Sequence, residues 1–477
     1  MNPYRASLLF IAPECAPLVK TGGLGDVCAA LPPALRALDI DARVLMPGYR
    51  NVLHGVSSRR VGRARLLGRD VELLEARLED VPLLVLDCPA LYDRPGGPYQ
   101  DERGADWPDN DERFAVLSRA AALLATGASP LEWRPELVHC NDWQSALVPV
   151  YLALESQPAR PRTILTIHNL AFQGNFDAGA LERAGLPASL HTVEGLEFYG
   201  KVSFLKGGLL HADALTTVSP TYAREIQHAG QGCGMEGVLS RRSADLHGIL
   251  NGIDERVWDP ARDPHLAARY AHGDLEGKRA NKAALQARMG LDADASVPLF
   301  GCVGRMTEQK GTDLIIEAGG ELARLGQLAI VGAGSPALQE AARALAARHP
   351  GRIAVHVGFS EPLAHLVEAG ADLFLMPSRY EPCGLNQMYS QRYGTPPIAR
   401  ATGGLSDTIV EGATGFLFGP ASAAALVEAA RRALACYADG AAWRRIQLAG
   451  MSRDFSWGAA ARRYADLYRK LAIPQPA

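Results

Sequence analysis

A pair of cationic side chains, Arg305 and Lys310, follows an apolar run in the second half of the chain. They lie in a polar turn after Leu299–Val303, which has the composition of a buried strand. There they would reach one anion from two sides, because arginine offers a planar fork of donors and lysine a point charge. The alternative is a solvated pair at a helix start, although the N-terminal end of a helix disfavours cations. The spacing favours a diphosphate site.

Glu381 follows a second apolar run, Leu373–Met376, in the segment Glu381-Pro382-Cys383-Gly384-Leu385. The proline pushes the backbone of Glu381 toward the extended region, so the glutamate is not a simple helix residue. Open α/β sheets bind ligands at the carboxyl ends of their strands. We therefore predict that Glu381 meets a ligand, with a helix cap or a surface carboxylate as the alternatives. Cys383 has no base beside it and is expected to be a small buried residue, not a nucleophile.

Two glycine pairs precede predicted helices and would let the backbone approach a ligand closely. One lies in Lys20-Thr21-Gly22-Gly23-Leu24-Gly25-Asp26, and the other in Ala401-Thr402-Gly403-Gly404-Leu405. Because helix N-termini favour anions, both segments suit a phosphate, and the first also suits a sugar. A plain strand–helix turn is the alternative. The first segment does not match G-x-G-x-x-G, which argues against a dinucleotide-dependent dehydrogenase.

Two strands of the first half end in polar residues. His168 and Asn169 follow the run Thr163–Ile167, and Asp142 follows Leu137–Cys140. A lone histidine is usually structural, but a histidine at the end of a strand with a polar neighbour is a better candidate for contact with a ligand. The sequence has no H-x-x-x-H motif, no D-x-D at a strand end and no carboxylate cluster for Mg²⁺. We therefore predict that arginine and lysine, not a metal, neutralise the diphosphate.

The elements that carry these residues predict an α/β architecture. Short apolar runs bounded by turn residues are typical of buried parallel strands, and here they alternate with helix-like stretches. The runs are Leu8–Ala12, Ala42–Met46, Leu83–Leu86, Leu137–Cys140, Thr163–Ile167, Ala214–Val218, Leu299–Val303, Leu328–Val331, Ile353–Val357 and Leu373–Met376. Two such series in one chain predict two Rossmann-like, doubly wound domains.

We place the domain boundary near residue 248, which gives domains of residues 1–247 and 248–455. The Gly- and Ser-punctuated segment Gln231–His247 is predicted to be a linker, and Asn251-Gly252 to form a turn. A polar helical region rich in arginine and aspartate is expected after Asp254. The segment Ser456–Leu471 has apolar and aromatic residues at helical spacing, and would cap its own domain or cross back to the first.

The composition excludes several classes of protein. The 477 residues exceed one ordinary core, and a net charge of −3 leaves no basic excess for nucleic acid. Eight scattered cysteines without a C-x-x-C pair argue against a disulfide framework and a zinc ribbon, and favour a reduced cytoplasmic compartment. No signal peptide and no membrane-spanning run is evident, so no membrane association is expected.

The motifs together resemble the bacterial glycogen synthase and plant starch synthase family. The resemblance runs from residue 8 to about residue 460, with the motifs in order. The matching segments are Lys20–Asp26, Leu91–Gly96, His168–Gly174, Phe204–Gly208, Ser219–Ala223, Asn251–Trp258, Arg305–Gly311 and Glu381–Leu385. It implies a GT-B fold, with two Rossmann-like domains facing each other across a deep cleft. It also implies that the C-terminal helix, residues 456–477, returns to the first domain.

The activity that the resemblance implies is a retaining transfer of glucose from ADP-glucose to the non-reducing 4-hydroxyl end of an α-1,4-glucan such as glycogen, without a metal or another cofactor. Arg305 and Lys310 would bind the diphosphate, Lys20 would close on the donor, and Glu381 would bind the glucose hydroxyls. The catalytic residues that the resemblance implies are Lys20, His168, Arg305, Lys310 and Glu381. The other implied contacts are the Gly22-Gly23 loop with the phosphates and sugar, His168 and Asn251 with the glucose, Asp142 and Tyr92 with the sugar and acceptor site, Phe359 with the adenine, the backbones of Cys383, Gly384 and Leu385 with the sugar, and Thr402 with the distal phosphate. Thr21, Asn169, Gly403 and Gly404 are further implied substrate-binding residues.

One position departs from the broader retaining GT-B pattern, which has a second glutamate eight residues after the first. Tyr389 stands there, and Gln387 becomes the candidate for the ribose contact. Three alternatives stay open: a synthase that uses UDP-glucose, an epimerase acting on a sugar nucleotide, and a glucan-binding protein without activity. The sequence also leaves open whether the chain forms a homo-oligomer.

Overall fold

The computed structural model describes residues 6–126, 128–155 and 160–472. The chain divides into two compact units. The first contains the residues up to Val218, Ala223–Ile249 and the chain from Trp457 onward, and the second contains Ser219–Tyr222 and Leu250–Ser456. Each unit is built around a sheet whose central strands are parallel, and their apolar runs are buried on both faces, as in β1, where Leu8 to Ile11 have no exposed surface.

The strands of the first unit are β1 (Ser7–Ile11), β2 (Asp41–Pro47), β3 (Arg59–Leu66), β4 (Arg69–Leu78), β5 (Val81–Asp87), β6 (Leu137–Asn141), β7 (Arg162–Ile167), β8 (Asn175–Phe176), β9 (Glu197–Phe198), β10 (Lys201–Ser203), β11 (Ala214–Thr217) and β12 (Leu246–Gly248). The helices along this part of the chain are α1 (Gly23–Arg36), α2 (Arg50–Gly55), α3 (Pro89–Tyr92), α4 (Asn110–Ala125), α5 (Leu147–Leu154), α6 (Ala180–Arg183), α7 (Phe204–His211), α8 (Pro220–Glu225) and α9 (Glu236–Arg241).

The main sheet of the first unit has the order β12-β11-β7-β6-β1-β2-β5-β4-β3. The strands from β12 to β5 are parallel, whereas β4 and β3 are antiparallel additions at the edge. The strand order reverses between β1 and β6, so the loops after these strands diverge and leave a crevice. A separate small sheet pairs β8, β10 and β9.

The second unit has a six-stranded parallel sheet in the order β15-β14-β13-β16-β17-β18. Its strands are β13 (Leu299–Val303), β14 (Gln327–Gly332), β15 (Ile353–Val357), β16 (Leu373–Met376), β17 (Pro397–Arg400) and β18 (Phe416–Phe418). Its helices are α10 (Gly277–Met289), α11 (Thr312–Leu325), α12 (Pro336–Arg348), α13 (Glu361–Gly370), α14 (Asn386–Arg392), α15 (Gly403–Thr408), α16 (Ala423–Ala438) and α17 (Gly440–Met451). This is the strand order of a Rossmann fold, and its reversal lies between β13 and β16.

The C-terminal helix α18 (Trp457–Ala472) packs on α1 in the first unit. Residues 473–477 of the predicted segment lie outside the described residues. The hydroxyl of Tyr468 is 2.6 Å from Nδ1 of His139 on β6, and Nε2 of His139 is 2.6 Å from the hydroxyl of Thr166 on β7. Burial lowers the pKa of His139 to about 3, so the ring stays neutral and one nitrogen donates while the other accepts.

Two expectations about the middle of the chain were wrong. The predicted linker Gln231–His247 contains α9, and its last residues form β12, which pairs with β11 because Leu246 is buried beside Leu215. The region after Asp254 is irregular until α10 begins at Gly277. Asp259 and Asp263 accept hydrogen bonds from backbone N–H groups two residues further on, and such side-chain turns compete with a helix.

Across the described ranges, no helix combines the length and the apolar composition needed to cross a membrane.

Candidate active site

The second unit has a cavity of about 110 Å³ at the point where its strand order reverses. The carboxyl ends of β13, β14 and β16 line it, together with Arg305, Lys310, Ser378, Gly384 and Leu385. A crevice at this position is where open α/β sheets bind ligands. Four of the residues that the sequence analysis selected therefore border one cavity.

Lys310 and Glu381 form an ion pair beside this cavity. Nζ of Lys310 is 2.5 Å from Oε2 of Glu381, and the hydroxyl of Ser378 donates to the same oxygen at 3.0 Å. The Glu381 side chain is only 6% exposed, whereas that of Lys310 is 28% exposed. Residue 311 is a glycine, which allows the Lys310 loop to pack closely on the segment that precedes Glu381. A Cβ at Gly311 would lie only 2.1 Å from the carbonyl oxygen of Pro377. The carboxylate is thus fixed, and the ammonium group can still reach a ligand.

Arg305 is exposed, and its guanidinium group has no hydrogen bond or ion pair within the part of the chain that the structure describes. Its loop is held by Arg379, which donates to the carbonyl of Glu308 at 2.6 Å and pairs with Asp313 at 2.6 Å. The N–H of Arg379 also donates to the carbonyl of Gln309 at 2.8 Å. A rigid loop therefore carries an arginine that remains available to an anion.

The second glycine pair packs directly on the Glu381 segment. The N–H of Gly404 donates to the carbonyl of Glu381 at 3.1 Å. Gly403 has φ 44°, and a Cβ there would lie 1.9 Å from the same carbonyl oxygen. Thr402 before it is buried. Gly403 is thus required by backbone packing, which places the Thr402–Gly404 loop against the glutamate.

The Cys383 thiol is buried, and burial raises its pKa to about 12, so it stays protonated. The N–H of Asn251 is hydrogen-bonded to this thiol. Oδ1 of Asn251 is buried and has no partner among the described residues. Since buried polar atoms are nearly always hydrogen-bonded, this oxygen is suited to accept a ligand hydroxyl.

Two residues considered for the nucleotide differ in exposure. Phe359 is 89% exposed and therefore open to stacking. Gln387 has no exposed surface, and its amide donates to the carbonyls of Cys383 and Gly384 at 3.0 and 2.9 Å. The Gln387 amide holds the Glu381 segment, and its contact with a ribose stays a prediction. Tyr389 stacks on Trp258, with ring centroids 3.8 Å apart.

In the first unit, Asp142 and His168 meet at the carboxyl ends of β6 and β7. The N–H of His168 donates to Asp142 at 2.7 Å, and the N–H of Asn169 also bonds this carboxyl group. Burial raises the pKa of Asp142 to about 7 and lowers that of His168 to about 3. Nε2 of the neutral His168 ring is 2.9 Å from Oδ1 of Asn141. Asp142 has φ 52°, a strained backbone of the kind found at functional sites.

The first glycine pair lies on an open surface. A Cβ at Gly22 or Gly23 would meet no atom within 4 Å. Lys20 is half exposed, and its Nζ is 2.7 Å from Asp26. Neither glycine is required by packing, so the space beside them is free for a ligand.

Tyr92 is almost fully buried in the first unit. Its ring is 1% exposed, and its hydroxyl donates to the carbonyl of Arg113 at 2.6 Å. The Arg113 side chain in turn donates to the carbonyls of Leu91 and Pro98. These bonds give Tyr92 a supporting role inside the first unit, and its expected contact with sugar or acceptor stays a prediction.

The sequence analysis missed several polar residues that hold the selected ones. They are Glu14, Tyr99, Asn141, Ser378 and Arg379. Ser378 and Arg379 directly follow β16, and their position at a strand end was a usable signal. The bonds of Asn141 and Tyr99 depend on tertiary contacts that no local pattern reveals. Among the described residues, no group of three or more His, Cys, Asp or Glu side chains is arranged to hold a metal ion.

Comparison with known proteins identifies the family. The starch synthase catalytic domain matches residues 7–241, and the glycosyl transferases group 1 domain matches residues 287–446. A glycogen synthase of Aromatoleum aromaticum is 54% identical over 97% of both chains. A glycogen synthase of Nitrosomonas eutropha is 49% identical over 97% of this chain and 96% of its own.

Solved structures agree with this assignment. The catalytic domain of starch synthase IV from Arabidopsis thaliana, bound to ADP and acarbose, superposes with a TM-score of 0.87 at 33% identity, covering 98% of this chain and all of that chain. A sucrose-phosphate synthase of Thermosynechococcus elongatus shares the fold, with a TM-score of 0.61 at 21% identity over 98% and 99% of the two chains. The chain belongs to the glycogen synthase family and is a glycosyltransferase with the GT-B fold.

Proposed function

We propose that this chain transfers glucose from ADP-glucose to the non-reducing 4-hydroxyl end of an α-1,4-glucan, with retention of the α configuration. The observation that carries the proposal is the Lys310–Glu381 pair beside the cavity at the end of β13. A fixed carboxylate suits sugar hydroxyls, and an adjacent lysine and arginine suit a diphosphate. The ADP bound to the plant starch synthase, at 33% identity, supports this choice of nucleotide.

Donor binding changes the partners of the pair. The diphosphate approaches Lys310 and the exposed Arg305, while Glu381 accepts hydrogen bonds from the glucose. As the bond from the anomeric carbon to the diphosphate breaks, negative charge develops on the leaving oxygen, and the two cations stabilise it. Preorganised donors of this kind are worth about 10²–10³ in rate each.

The remaining groups bind the sugar and nucleotide without taking part in proton transfer. The neutral His168 ring and its backbone hold the glucose with Asn169, Asp142 supports them, and Oδ1 of Asn251 accepts a sugar hydroxyl. The other proposed contacts are the Lys20–Gly23 loop with the donor, the backbones of Cys383, Gly384 and Leu385 with the sugar, Thr402, Gly403 and Gly404 with the distal phosphate, and Phe359 with the adenine.

The acceptor step forms the bond between the acceptor O4 and the anomeric carbon on the face that the diphosphate leaves. A diphosphate oxygen takes the proton of the acceptor hydroxyl, and ADP departs. The transition state resembles an oxocarbenium ion, as in glycosidic chemistry generally. Because Arg305 and Lys310 supply the positive charge, we propose that no metal is required.

The proposal includes an organisation and a location. Residues 1–247 with the C-terminal helix form the acceptor-side domain, and residues 248–455 form the nucleotide-sugar domain. All eight cysteines are free, which fits a reducing cytoplasm, since disulfides persist in oxidising compartments. The partners are ADP-glucose and the glucan, with no nucleic acid or membrane.

The test is release of ADP from ADP-glucose with and without glycogen, in the presence of EDTA, alongside UDP-glucose. Glycogen-dependent ADP release that survives EDTA and exceeds the rate with UDP-glucose is expected. A higher rate with UDP-glucose would assign the other nucleotide. Release that does not depend on glycogen, or no release from either donor, would refute the synthase function.

A further inference from the structure

A buried carboxylate, Glu14, lies beneath the Lys20 loop and has no part in the chemistry proposed above. The residue follows the end of β1 by three positions, and its side chain is 2% exposed. A carboxylate is costly to bury unless hydrogen bonds compensate it. The groups that bind Glu14 therefore indicate what it does.

Three donor groups of the Lys20 loop form hydrogen bonds with Glu14. The N–H of Thr21 donates to Oε2 of Glu14 at 2.6 Å, and the N–H of Gly22 donates to the same oxygen at 3.4 Å. The Thr21 hydroxyl donates to Oε1 at 2.9 Å. The hydroxyl of Tyr99, which lies in the segment between α3 and α4, donates to Oε1 at 3.0 Å. Glu14 thus connects the Lys20 loop to the segment of Tyr99, a residue 85 positions after Glu14.

These bonds decide which backbone groups of the loop remain for a ligand. The N–H groups of Thr21 and Gly22 point inward to Glu14, and that of Gly25 donates to the carbonyl of Gly22 at 3.2 Å. The N–H groups of Gly23 and Leu24, in the first turn of α1, make no hydrogen bond in the described part of the chain. An anion at this loop therefore meets Gly23 and Leu24.

The first turn of α1 packs on the same carboxylate. A Cβ at Gly25 would lie 3.2 Å from Oε2 of Glu14 and 3.2 Å from Cγ of Lys20, closer than side chains normally pack. Nζ of Lys20 is 2.7 Å from Asp26, one residue further on. Glu14 therefore holds the backbone of the loop, and Asp26 holds its lysine.

We propose that Glu14 is a positioning residue, an internal anion that holds the Lys20 loop in its ligand-binding shape before the donor arrives. Without Glu14, the donor would have to order the loop on binding, and such ordering reduces affinity and misplaces the reacting groups. The inference rests on the proposed function only in naming the donor. The fixation of the loop is a property of the ligand-free protein.

The test combines amide hydrogen exchange with kinetics on Glu14→Gln. The Gln side chain keeps the size of Glu14 but has one acceptor oxygen instead of two. We expect the Thr21 and Gly22 amides of the ligand-free variant to exchange at least about tenfold faster, since exchange follows local opening. We expect kcat/KM for ADP-glucose to fall by about 10- to 100-fold, in line with the cost of a misplaced group.

Thr21→Val removes a single donor, so it serves if Glu14→Gln does not fold, and smaller changes in the same direction are expected. Glu182→Gln, at an exposed glutamate of α6, is the matched control and should change neither measurement. Unchanged exchange at Thr21 and Gly22, or faster exchange with unchanged kcat/KM, would overturn the proposal. A wild-type protein inactive with ADP-glucose would refute the proposed function instead, and the exchange rates would still decide whether Glu14 fixes the loop.

Discussion

Replacement of Lys310 by methionine is the most informative perturbation of the second unit, because it removes the charge and keeps most of the side-chain stem. If Lys310 stabilises the leaving diphosphate, kcat should fall by about 10²–10³, the usual effect of losing one preorganised donor. The KM for the donor should rise as well, since the same ammonium group meets the diphosphate in the ground state. The measurement is ADP release at saturating glycogen over a range of ADP-glucose concentrations.

The same substitution should destabilise the fold by a predictable amount. At 2.5 Å the two charges attract with about 7 kcal/mol at an effective dielectric constant of 20, which is an upper bound on the pair. Lys310 is 28% exposed, so solvent screens the pair, and Glu381 keeps the hydrogen bond from Ser378. We therefore expect a loss of about 1–3 kcal/mol in the free energy of unfolding, measured in urea.

A double-mutant cycle separates the two roles of Lys310. Lys310→Met with Glu381→Gln leaves no unpaired buried charge, so most of the stability should return while activity stays low. Lys201→Ala, at an exposed lysine of β10, controls for the loss of one positive charge. A Lys310→Met protein that loses stability but keeps its kcat and donor KM would show that the pair is only structural, and the assignment of Lys310 to the diphosphate would be wrong.

Three further predictions concern other parts of the chain. Because the pKa of Asp142 is about 7 in the folded chain against about 4 when unfolded, its contribution to stability declines as pH rises through this interval. The free energy of unfolding of wild type relative to Asp142→Asn should therefore fall between pH 4 and 7, by at most about 4 kcal/mol, as measured by urea titrations at several pH values. Gly403→Ala should lower the free energy of unfolding by at least about 3 kcal/mol and abolish most of the activity, because the added Cβ would overlap a carbonyl oxygen. Gly412 also has a positive φ, but a Cβ there would meet no atom within 4 Å, so Gly412→Ala should lower the free energy of unfolding by only about 1 kcal/mol. Equal melting temperatures for these two variants would contradict the packing argument. Tyr468→Phe should cost about 1–3 kcal/mol by leaving Nδ1 of His139 unpaired, with kcat/KM unchanged, and a fully stable variant would show that this hydrogen bond contributes nothing.

The fold followed from the sequence where strands are buried on both faces. Runs such as Leu8–Ala12 and Leu373–Met376 are almost purely apolar, and the structure has strands at each of them. The β3–β4 hairpin was missed because its strands carry charges that pair across the hairpin, as Arg63 does with Glu72. The local sequence of each strand is typical of a solvated surface, and the ion pairs between the two strands become apparent only when both strands are considered together.

The part of the candidate site that lies at the carboxyl ends of strands could be predicted from the sequence. Parallel strands bring their carboxyl ends to one edge, so the grouping of Arg305, Lys310 and Glu381 could be inferred from sequence. That Lys310 pairs with Glu381 in the absence of ligand was not inferable, because the contact spans 71 residues. Glu14 was missed because its hydrogen bonds with Thr21, Gly22 and Tyr99 are tertiary contacts that follow from no local sequence pattern.

The bond between His139 and Tyr468 has a consequence for the order in which the chain assembles on the ribosome. The two residues are 329 positions apart, so β6 is synthesised long before its partner on α18 exists. Until α18 is synthesised, Nδ1 of His139 lacks its hydrogen-bond partner Tyr468, and α1 lacks the helix that packs on it. The second unit is almost uninterrupted in the chain, from Leu250 to Ser456, and can finish packing as soon as it emerges. Domains usually complete themselves in the order of translation. A nascent chain arrested before Trp457 has synthesised every strand of the first sheet but lacks α18, the helix that packs on α1.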